Sequence, residues 1–230
     1  MRIKGLQKMT LLDFPSHVAC TVFLGGCNFR CPFCHNAGLV LRPLDAPDVP
    51  KEEFFSFLKK RQGVLDGVAV TGGEPTLDPN LAPFLRRIKE MGYAVKLDTN
   101  GSRPRVLAEL LADGLVDYVA MDVKNSLPDY GATVGIARFD ITPIEESLDY
   151  LMAGHVPFEF RTTLVRGLHT PDGIRRIGER LRGDERYFLQ TFKDSGDLIS
   201  DGLGAFTPSE TASLLSILRT YIPNAQIRGE

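Results

Sequence analysis

The feature of this sequence that most restricts its fold is a regular alternation of short β-rich runs with helical patterns. Six such runs occur along the chain: HVACTVFL, GVAVT, YAVKLDT, DYVAMDV, FEFRTTLV and RYFLQTF. Strands separated by helices pair in parallel through right-handed crossovers. Six units are too few for a closed eight-stranded barrel. We therefore expect an α/β fold, with the parallel sheet either an open, partial barrel or doubly wound.

The starts of several helices are marked by capping residues. In residues 78–92, DPNLAPFLRRIKEMG, the apolar positions recur at the spacing of an amphipathic helix, and Asp78 is the predicted N-cap. Thr142 in TPIE and Thr207 in TPSE each begin a predicted capping box, in which an acid follows three residues later. Thr170 in TPDG predicts a similar helix start.

Length and composition limit the number of domains and the class of partner. The chain has 230 residues, of which 43% are hydrophobic and 24% charged, and this fits one α/β domain better than two. We expect one domain over residues 1–230, with a core of about 16–200 and a C-terminal helix of about 207–221. A net charge of -2 gives no broad basic surface, so no nucleic-acid partner is expected.

The cellular setting is predicted from two further patterns. No apolar run approaches the length that a membrane span needs. The N-terminal residues, MRIKGLQKMTLLDFP, lack the apolar stretch and cleavage site of a signal peptide. We therefore expect no membrane association and a cytoplasmic, reducing location, where clustered thiols serve as metal ligands or catalytic groups more often than as disulfides.

Three of the four cysteines lie close together, in LGGCNFRCPFCHN. Cys27, Cys31 and Cys34 have the spacing Cys-x3-Cys-x2-Cys directly after a predicted strand. Three thiolates could hold three irons of a four-iron four-sulfur cluster and leave the fourth iron open. A zinc site with a fourth ligand from elsewhere, or three free cysteines, are the alternatives. Cys20 lies inside the apolar strand and is predicted to be a small buried hydrophobe.

Polar residues follow the predicted strands, where the chemistry of parallel α/β sheets collects. VAVTGGEPT ends in Gly72, Gly73 and Glu74. The two glycines allow the backbone to approach a ligand closely, and the Glu74 carboxylate could accept hydrogen bonds from an ammonium group. KLDTNG places Asp98 at the end of the next strand. A capped turn is the alternative interpretation of the same residues.

The following strands carry more charge. AMDVK contains Asp122 and Lys124, and FEFRTTLV contains Arg161 on an otherwise apolar strand. A buried arginine needs an anionic partner. That partner is either the carboxylate of a ligand or an acid of the chain, Asp122 or Glu159. Gln190 in FLQTF occupies a similar position on the last predicted strand.

The cysteine loop resembles a known family. CNFRCPFCHN is similar to the signature loop of radical S-adenosylmethionine (SAM) enzymes, which has an aromatic residue, here Phe33, before the last cysteine. TLLDFPSHVACTVFLGGCNFRCPFCHN resembles the N-terminal region of the activating enzymes of glycyl-radical enzymes, and VTGGEPTL, KLDTNG and YVAMDVK extend the resemblance over roughly residues 4–200. Within that group, the closest resemblance is to anaerobic ribonucleoside-triphosphate reductase activating proteins.

The resemblance implies a fold, two cofactors and a reaction. The implied fold is a partial (β/α)6 barrel of the radical SAM type, with the helices outside a parallel sheet. The implied cofactors are a 4Fe-4S cluster on Cys27, Cys31 and Cys34, which are then both metal ligands and catalytic residues, and SAM bound to the open iron. Reductive cleavage of SAM would yield a 5'-deoxyadenosyl radical that abstracts a hydrogen atom.

Roles for further residues follow from the same resemblance. The segment with Phe33, His35 and Asn36 is expected near the adenine of SAM. The GGE motif is expected at its amino group, and Lys124 near its ribose and carboxylate. Asp98 and Asp122 would frame a monovalent-cation site. The complete set of predicted cofactor-binding residues is Phe33, His35, Asn36, Gly72, Gly73, Glu74, Asp98, Asp122, Lys124, Arg161 and Gln190.

The resemblance also implies partners. The expected partners are a glycyl-radical enzyme, with anaerobic ribonucleotide reductase preferred, and an electron donor such as flavodoxin or ferredoxin. Two other hypotheses stay open. One is a radical SAM enzyme of small molecules, such as 7-carboxy-7-deazaguanine synthase. The other is a zinc-binding module without catalytic activity.

Overall fold

The protein is built around one eight-stranded sheet. The computed structural model describes residues 1–45, 47–184, 186–194 and 196–229; positions 46, 185, 195 and 230 lie outside the described residues. The strands follow one another across the sheet in sequence order, and only the first pairs with its neighbour in antiparallel fashion. The strands are β1 (Ile3–Thr10), β2 (Ala19–Leu24), β3 (Gly67–Gly72), β4 (Ala94–Thr99), β5 (Tyr118–Asp122), β6 (Phe158–Leu164), β7 (Tyr187–Thr191) and β8 (Gln226–Arg228).

The six predicted strands are β2 to β7, and the α/β prediction is confirmed. A doubly wound sheet reverses its strand order at one point, whereas this order is sequential throughout, so the partial barrel is the correct alternative. In the described part of the chain, β1 and β8 lie at the two edges of the sheet, which is therefore not closed. The predicted domain extent stays a prediction.

The two edge strands were not predicted from the sequence. β1, IKGLQKMT, exposes three successive residues near its end and lacks the apolar run that marks a buried strand. β8 has only three residues. Edge strands are half solvated, so their sequences carry a weaker apolar signal than strands that are covered on both faces.

Helices connect the strands. Among the described residues, no helix has the length and apolar character that crossing a bilayer requires. Two short 3-10 turns, Pro75–Leu77 and Leu127–Asp129, follow β3 and β5. The α-helices are α1 (Ala37–Leu41), α2 (Lys51–Lys60), α3 (Leu81–Glu90), α4 (Pro104–Ala112), α5 (Tyr130–Thr133), α6 (Thr142–Met152), α7 (Pro171–Arg180) and α8 (Pro208–Arg219).

The two faces of the sheet have different characters. Outward-facing side chains such as Val95 and Leu97 of β4 are fully buried against the helices. The helix α3 presents Leu81, Leu85 and Ile88 to this layer, as its apolar spacing predicts. Because successive strand residues alternate between faces, Asp98 and its equivalents on the other strands point into the barrel. The carboxyl ends of the parallel strands thus bring polar side chains together.

Two of the predicted helix starts are confirmed. Thr207 is the N-cap of α8, and it forms a complete capping box with Glu210. The Thr170 side chain accepts a hydrogen bond of 3.0 Å from the amide of Gly173 at the start of α7. Both arrangements satisfy amide groups that the first turn of a helix leaves without partners.

The other two predicted starts are wrong. The helix α6 already includes Thr142, because the Asp140 carboxylate two residues upstream accepts a 3.0 Å hydrogen bond from the Thr142 amide and turns the chain earlier. The helix α3 begins at Leu81 instead of after Asp78. Asp78 ends the preceding 3-10 turn, and its side chain accepts a 2.9 Å hydrogen bond from the amide of Asn80.

These differences predict unequal effects of two matched substitutions. Thr207→Ala should lower the free energy of unfolding by about 1 kcal/mol, because it removes a capping side chain. Thr142→Ala should change it by less than about 0.5 kcal/mol, because Thr142 is exposed and caps no amide. Urea unfolding of both variants measures the difference. Equal losses would contradict the assignment of the two helix starts.

Candidate active site

One cavity opens at the carboxyl ends of the parallel strands. It collects side chains from the loop after β2 and from the ends of β3 to β7, so it lies where the sequence predicts the chemistry. Every predicted site residue except Glu74 lines it. Its wall consists of Cys27, Phe29, Cys31, Phe33, Cys34, His35, Asn36, Val40, Thr71, Gly72, Gly73, Asp98, Thr99, Asn100, Asp122, Lys124, Arg161, Thr163 and Gln190.

The cysteine loop connects β2 to α1 and directs Cys27, Cys31 and Cys34 to the same cavity. The loop is held by its own backbone: the Cys34 amide donates to the Cys31 carbonyl over 3.0 Å, and the Phe29 amide donates to the Cys27 sulfur over 3.4 Å. Cys20 lies in β2 and is fully buried in the core, as predicted. The structure therefore separates one core cysteine from three cavity cysteines.

The cavity thiols fit a cluster better than a single ion. Burial raises the pKa of Cys27 and Cys34, and it raises that of Cys31 to about 12, so a positively charged centre is needed to hold all three as thiolates. A structural zinc ion takes four donors at one point. Three of the cavity residues are cysteines, which supply one thiolate for each of three irons. Cysteines on three separate irons have no such requirement.

The glycines of the GGE turn bring the end of β3 against the end of β2. Gly72 has a φ of +120°, and a side chain there would overlap the Leu24 backbone; a side chain on Gly73 would overlap the Gly26 carbonyl. The Glu74 amide donates to that same Gly26 carbonyl over 2.8 Å. The glycines were predicted to let the backbone approach a ligand closely. In the structure, they let it approach residues 24–26, directly before Cys27.

The Glu74 side chain lies behind the cavity wall, bonded to the wall residues Thr99 and Asn100. It is only 2% exposed, and its Oε1 accepts hydrogen bonds from the amide and hydroxyl of Thr76 and, over 2.8 Å, from the hydroxyl of Thr99. Its Oε2 accepts a 2.6 Å hydrogen bond from the Asn100 amide. Burial raises the pKa of Glu74, and these hydrogen bonds oppose the shift. The predicted contact of this carboxylate with an ammonium group stays a prediction, and the described contacts favour a positioning role.

The ends of β4, β5 and β6 carry a network of ion pairs. The Arg161 guanidinium is 2.9 Å from Asp122 and 3.4 Å from Asp98, and the Lys124 ammonium is 2.9 Å from Asp122. Burial opposes ionisation of Asp122, but Arg161 and Lys124 outweigh it and lower its pKa to about 2. The salt bridge from Arg161 to Asp122 is thus present. The other candidate acid, Glu159, pairs with a different arginine.

Phe33 and a histidine behind it form one side of the cavity. The Phe33 ring is buried and meets the His169 ring edge to face at 6.4 Å. His169 is buried, although an isolated histidine outside any motif is usually exposed. The Val165 amide donates to its Nδ1 over 3.0 Å, so its Nε2 donates to the Lys124 carbonyl over 2.8 Å. Burial lowers the pKa of His169, and the neutral ring holds the segment after β5 in place.

The remaining predicted residues lie around the opening of the cavity. The His35 ring bonds to the Lys193 carbonyl over 2.6 Å and is exposed. The Asn36 side chain donates to the Gly72 carbonyl over 2.9 Å and so links the cysteine loop to the GGE turn. Gln190, near the end of β7, also lines the cavity.

Several wall residues were not predicted as site residues. Asn100 donates through Nδ2 to the Cys27 sulfur over 3.8 Å and to Asn28 over 3.0 Å, so it contacts the cysteine loop directly. The sequence signal for Asn100 is its place in KLDTNG directly after a predicted strand, but Asn-Gly is also a common turn sequence. The others, which carry no comparable sequence signal, are Phe29, Val40, Thr71, Thr99 and Thr163.

Comparison with known proteins identifies the family. A sequence profile of the Radical SAM superfamily matches residues 21–172, and the chain belongs to this superfamily. SuiB from Streptococcus suis has the same fold, with a TM-score of 0.71 at 14% identity, over 94% of this chain and 50% of SuiB. The SuiB structure with bound S-adenosylmethionine gives a TM-score of 0.69.

Curated relatives define the group more closely. The chain is 32% identical, over 98% of its length and 95% of the relative, to a Methanocaldococcus jannaschii protein provisionally named a glycyl-radical enzyme activating enzyme. It is 31% identical, over 54% of its length and 52% of the relative, to the pyruvate formate-lyase-activating enzyme of Clostridium pasteurianum. It is 29% identical, over 63% of its length and 61% of the relative, to the 7-carboxy-7-deazaguanine synthase of Koribacter versatilis. The chain is thus a radical SAM enzyme homologous to glycyl-radical enzyme activating enzymes.

The family uses a 4Fe-4S cluster and SAM, and the assignment of the cluster to three of the four cysteines is testable. After anaerobic reconstitution, Cys27→Ala, Cys31→Ala and Cys34→Ala should each lose iron, sulfide and the visible absorbance of the cluster, because each thiolate is predicted to hold one iron. Cys20→Ala is the matched control and should keep the cluster, because its thiol lies in the core. Full cluster content in Cys31→Ala would overturn the assignment.

The two roles considered for Glu74 predict different results for Glu74→Gln. If the carboxylate only connects the GGE turn to the residues after β4, the variant should lose about 1–3 kcal/mol of stability, because an amide nitrogen cannot accept the bonds that Glu74 accepts. Its SAM affinity, measured on folded protein, should then change little. Unchanged stability together with weaker SAM binding would instead establish direct contact between the side chain and SAM.

Proposed function

We propose that this chain activates a glycyl-radical enzyme by forming a radical on a backbone glycine of that partner. The observation that carries the proposal is the relationship over nearly full length to the Methanocaldococcus jannaschii protein, 32% identical over 98% of this chain and 95% of the relative. The cysteine loop, GGE turn and KLDTNG segment lie together around one cavity, which supports a common site for these motifs.

Different residues of the site would bind the cluster and SAM. We infer that Cys27, Cys31 and Cys34 hold three irons of the cluster. Lys124 and Arg161, whose positive charges face the cavity, would bind the carboxylate of SAM. When bound, the cluster and SAM together supply a 5'-deoxyadenosyl radical after one electron arrives from a reductant.

The substrate of that radical is argued from selectivity. A primary carbon radical removes a hydrogen atom from any donor within reach, so the site must offer one weak C–H bond and exclude others. A glycine loop of a partner, inserted at the carboxyl ends of the strands, would do both. The hydrogen atom moves from the glycine Cα to the 5'-carbon, which gives 5'-deoxyadenosine and a glycyl radical.

The finer identity of the partners is part of the same proposal. The sequence resemblance favours anaerobic ribonucleoside-triphosphate reductase as the glycyl-radical enzyme. The electron would come from a small carrier such as flavodoxin or ferredoxin. A cytoplasmic location follows from the need for reduced thiols on Cys27, Cys31 and Cys34.

The proposal predicts a radical on the partner. Reconstituted enzyme, SAM, a reductant and a candidate anaerobic ribonucleotide reductase are incubated without oxygen, and electron paramagnetic resonance should show a glycyl doublet on the reductase. Cys31→Ala is the control and should give no doublet. The absence of a radical on every glycyl-radical partner tried, together with turnover of a small substrate, would contradict the proposal.

A small-molecule reaction is the second candidate, and the similarity to the Koribacter versatilis protein is its support. That relative matches a shorter part of the chain, 63% against 98%, and the identity is lower. Incubation with a pterin substrate of 7-carboxy-7-deazaguanine synthase, followed by product analysis, distinguishes the two. Turnover of the pterin without a protein radical would favour the synthase.

A further inference from the structure

The sequence resemblance predicts a monovalent cation between Asp98 and Asp122, and the arrangement around these residues tests that prediction. Both carboxylates point into the barrel at the ends of β4 and β5 and line the cavity. Two neighbouring carboxylates repel each other unless positive charge lies close to them. The described residues reveal where this charge comes from.

Lys96 supplies part of the charge. It lies two residues before Asp98 on β4, so its side chain points to the same inner face of the sheet. The side chain is 2% exposed, and its ammonium forms an ion pair with the Asp98 carboxylate. Lysine is almost never buried to this degree without an acidic partner. Lys96 is not among the residues predicted from sequence to form the site.

Two further cations complete the network. Arg161 contacts both acids, at 2.9 Å from Asp122 and 3.4 Å from Asp98. Lys124 contacts Asp122 at 2.9 Å. Lys96, Lys124 and Arg161 carry three positive charges, and their two partner acids carry two negative charges. This group of side chains therefore has one positive charge in excess. One surplus positive charge matches a ligand that presents one carboxylate.

The other buried acids near the barrel do not change this balance. Glu159, two residues before Arg161 on β6, forms a bidentate pair with Arg228 at 2.6 and 2.9 Å, which balances its charge, and accepts a hydrogen bond from Tyr118. Glu74 does not line the cavity, and its carboxylate accepts hydrogen bonds from Thr76, Thr99 and the Asn100 amide. The surplus charge therefore belongs to the group formed by Asp98, Asp122 and their three cations.

An alkali ion does not fit this arrangement. Such an ion needs several oxygen ligands around it. Both oxygens of Asp98 and both oxygens of Asp122 already accept hydrogen bonds from the ammonium and guanidinium groups. A further cation would also raise the surplus to two positive charges in a buried layer, which is unfavourable.

We propose that Lys96 is a built-in counter-cation that takes the place of the alkali ion, so that SAM binding by this chain needs neither Na⁺ nor K⁺. Lys96 is a positioning residue in this proposal: it neutralises Asp98, so that Arg161 and Lys124 face one remaining acid, Asp122, and keep one positive charge for the ligand carboxylate. The inference rests on SAM binding, which the family establishes, and is independent of the partner on which a radical forms.

The first test uses the unaltered enzyme. The dissociation constant of SAM is measured anaerobically on reconstituted protein in KCl, NaCl and choline chloride at equal ionic strength. The three values should agree within about two-fold, because the counter-charge is covalently part of the chain. Binding that is about ten-fold tighter in KCl or NaCl than in choline chloride would overturn the proposal.

The second test removes the ammonium. Lys96→Ala should bind SAM about ten-fold more weakly in choline chloride, since a buried charge-assisted contact is lost. KCl, NaCl or methylammonium chloride should restore much of the loss by filling the space beside Asp98. Lys89→Ala is the matched control: Lys89 pairs with Asp117 at 2.6 Å outside the barrel, and this variant should behave as the unaltered enzyme.

Two outcomes of the second test would contradict the proposal. Equal SAM affinity of Lys96→Ala and the unaltered enzyme in choline chloride would show that the Lys96 ammonium does not contribute to SAM binding. A loss that no small cation restores would show that Lys96 acts through packing alone. Circular dichroism establishes that the variant is folded, and if it is not, the comparison of salts on the unaltered enzyme decides the question by itself.

Discussion

The close contact between the ends of β2 and β3 is the constraint on which the site depends. Gly73 packs its backbone on the Gly26 carbonyl, and the Glu74 amide bonds to that carbonyl. Because Cys27 follows Gly26 directly, this contact fixes where the cysteine loop begins. The Glu74 carboxylate then extends the connection to Thr99 and Asn100 at the end of β4. Three successive strand ends are thereby held as one rigid unit.

Asn100 closes this unit from the other side. Its backbone amide donates to Glu74, while its side-chain amide contacts the Cys27 sulfur and Asn28. A residue at the end of β4 thus touches the first cysteine of a loop that follows β2. Hydrogen bonds of this kind around sulfur ligands tune the centre that the sulfurs hold. The GGE turn is therefore as much a support for the cysteine loop as a wall of the cavity.

The strands of this fold could be predicted because most of them are buried on both faces, which leaves a nearly continuous apolar run in the sequence. The same reasoning missed β1 and β8, which lie at the sheet edges and are half exposed or very short. Helix starts were predictable where the capping side chain had no competitor. At Thr142, a second polar side chain, Asp140, lies two residues upstream and caps the turn instead.

The position of the site could be predicted from the sequence, but the contacts of its individual side chains could be predicted less well. Residues that follow strand ends meet at one edge of a parallel sheet, so all predicted residues but Glu74 line the same cavity. The direction of the Glu74 side chain depends on Thr99 and Asn100, which are about 25 positions away in sequence and adjacent only after folding. The role of Lys96 could not be predicted for the same reason. A single lysine in a strand gives no signal until the structure shows that an acid on the same face pairs with it.

The site consists of two parts that rest on different physics. The cysteine loop is held by backbone packing and hydrogen bonds, and we propose that its thiols become ligands through the metal that they would bind. The ends of β4, β5 and β6 are held by ion pairs in a buried layer, where each charge is tolerated only because a partner lies within hydrogen-bonding distance. On this proposal, loss of a cysteine removes a ligand and leaves the ion pairs in place. Loss of one charge, in contrast, leaves its partner unpaired in the barrel, and that cost extends to every group in the layer.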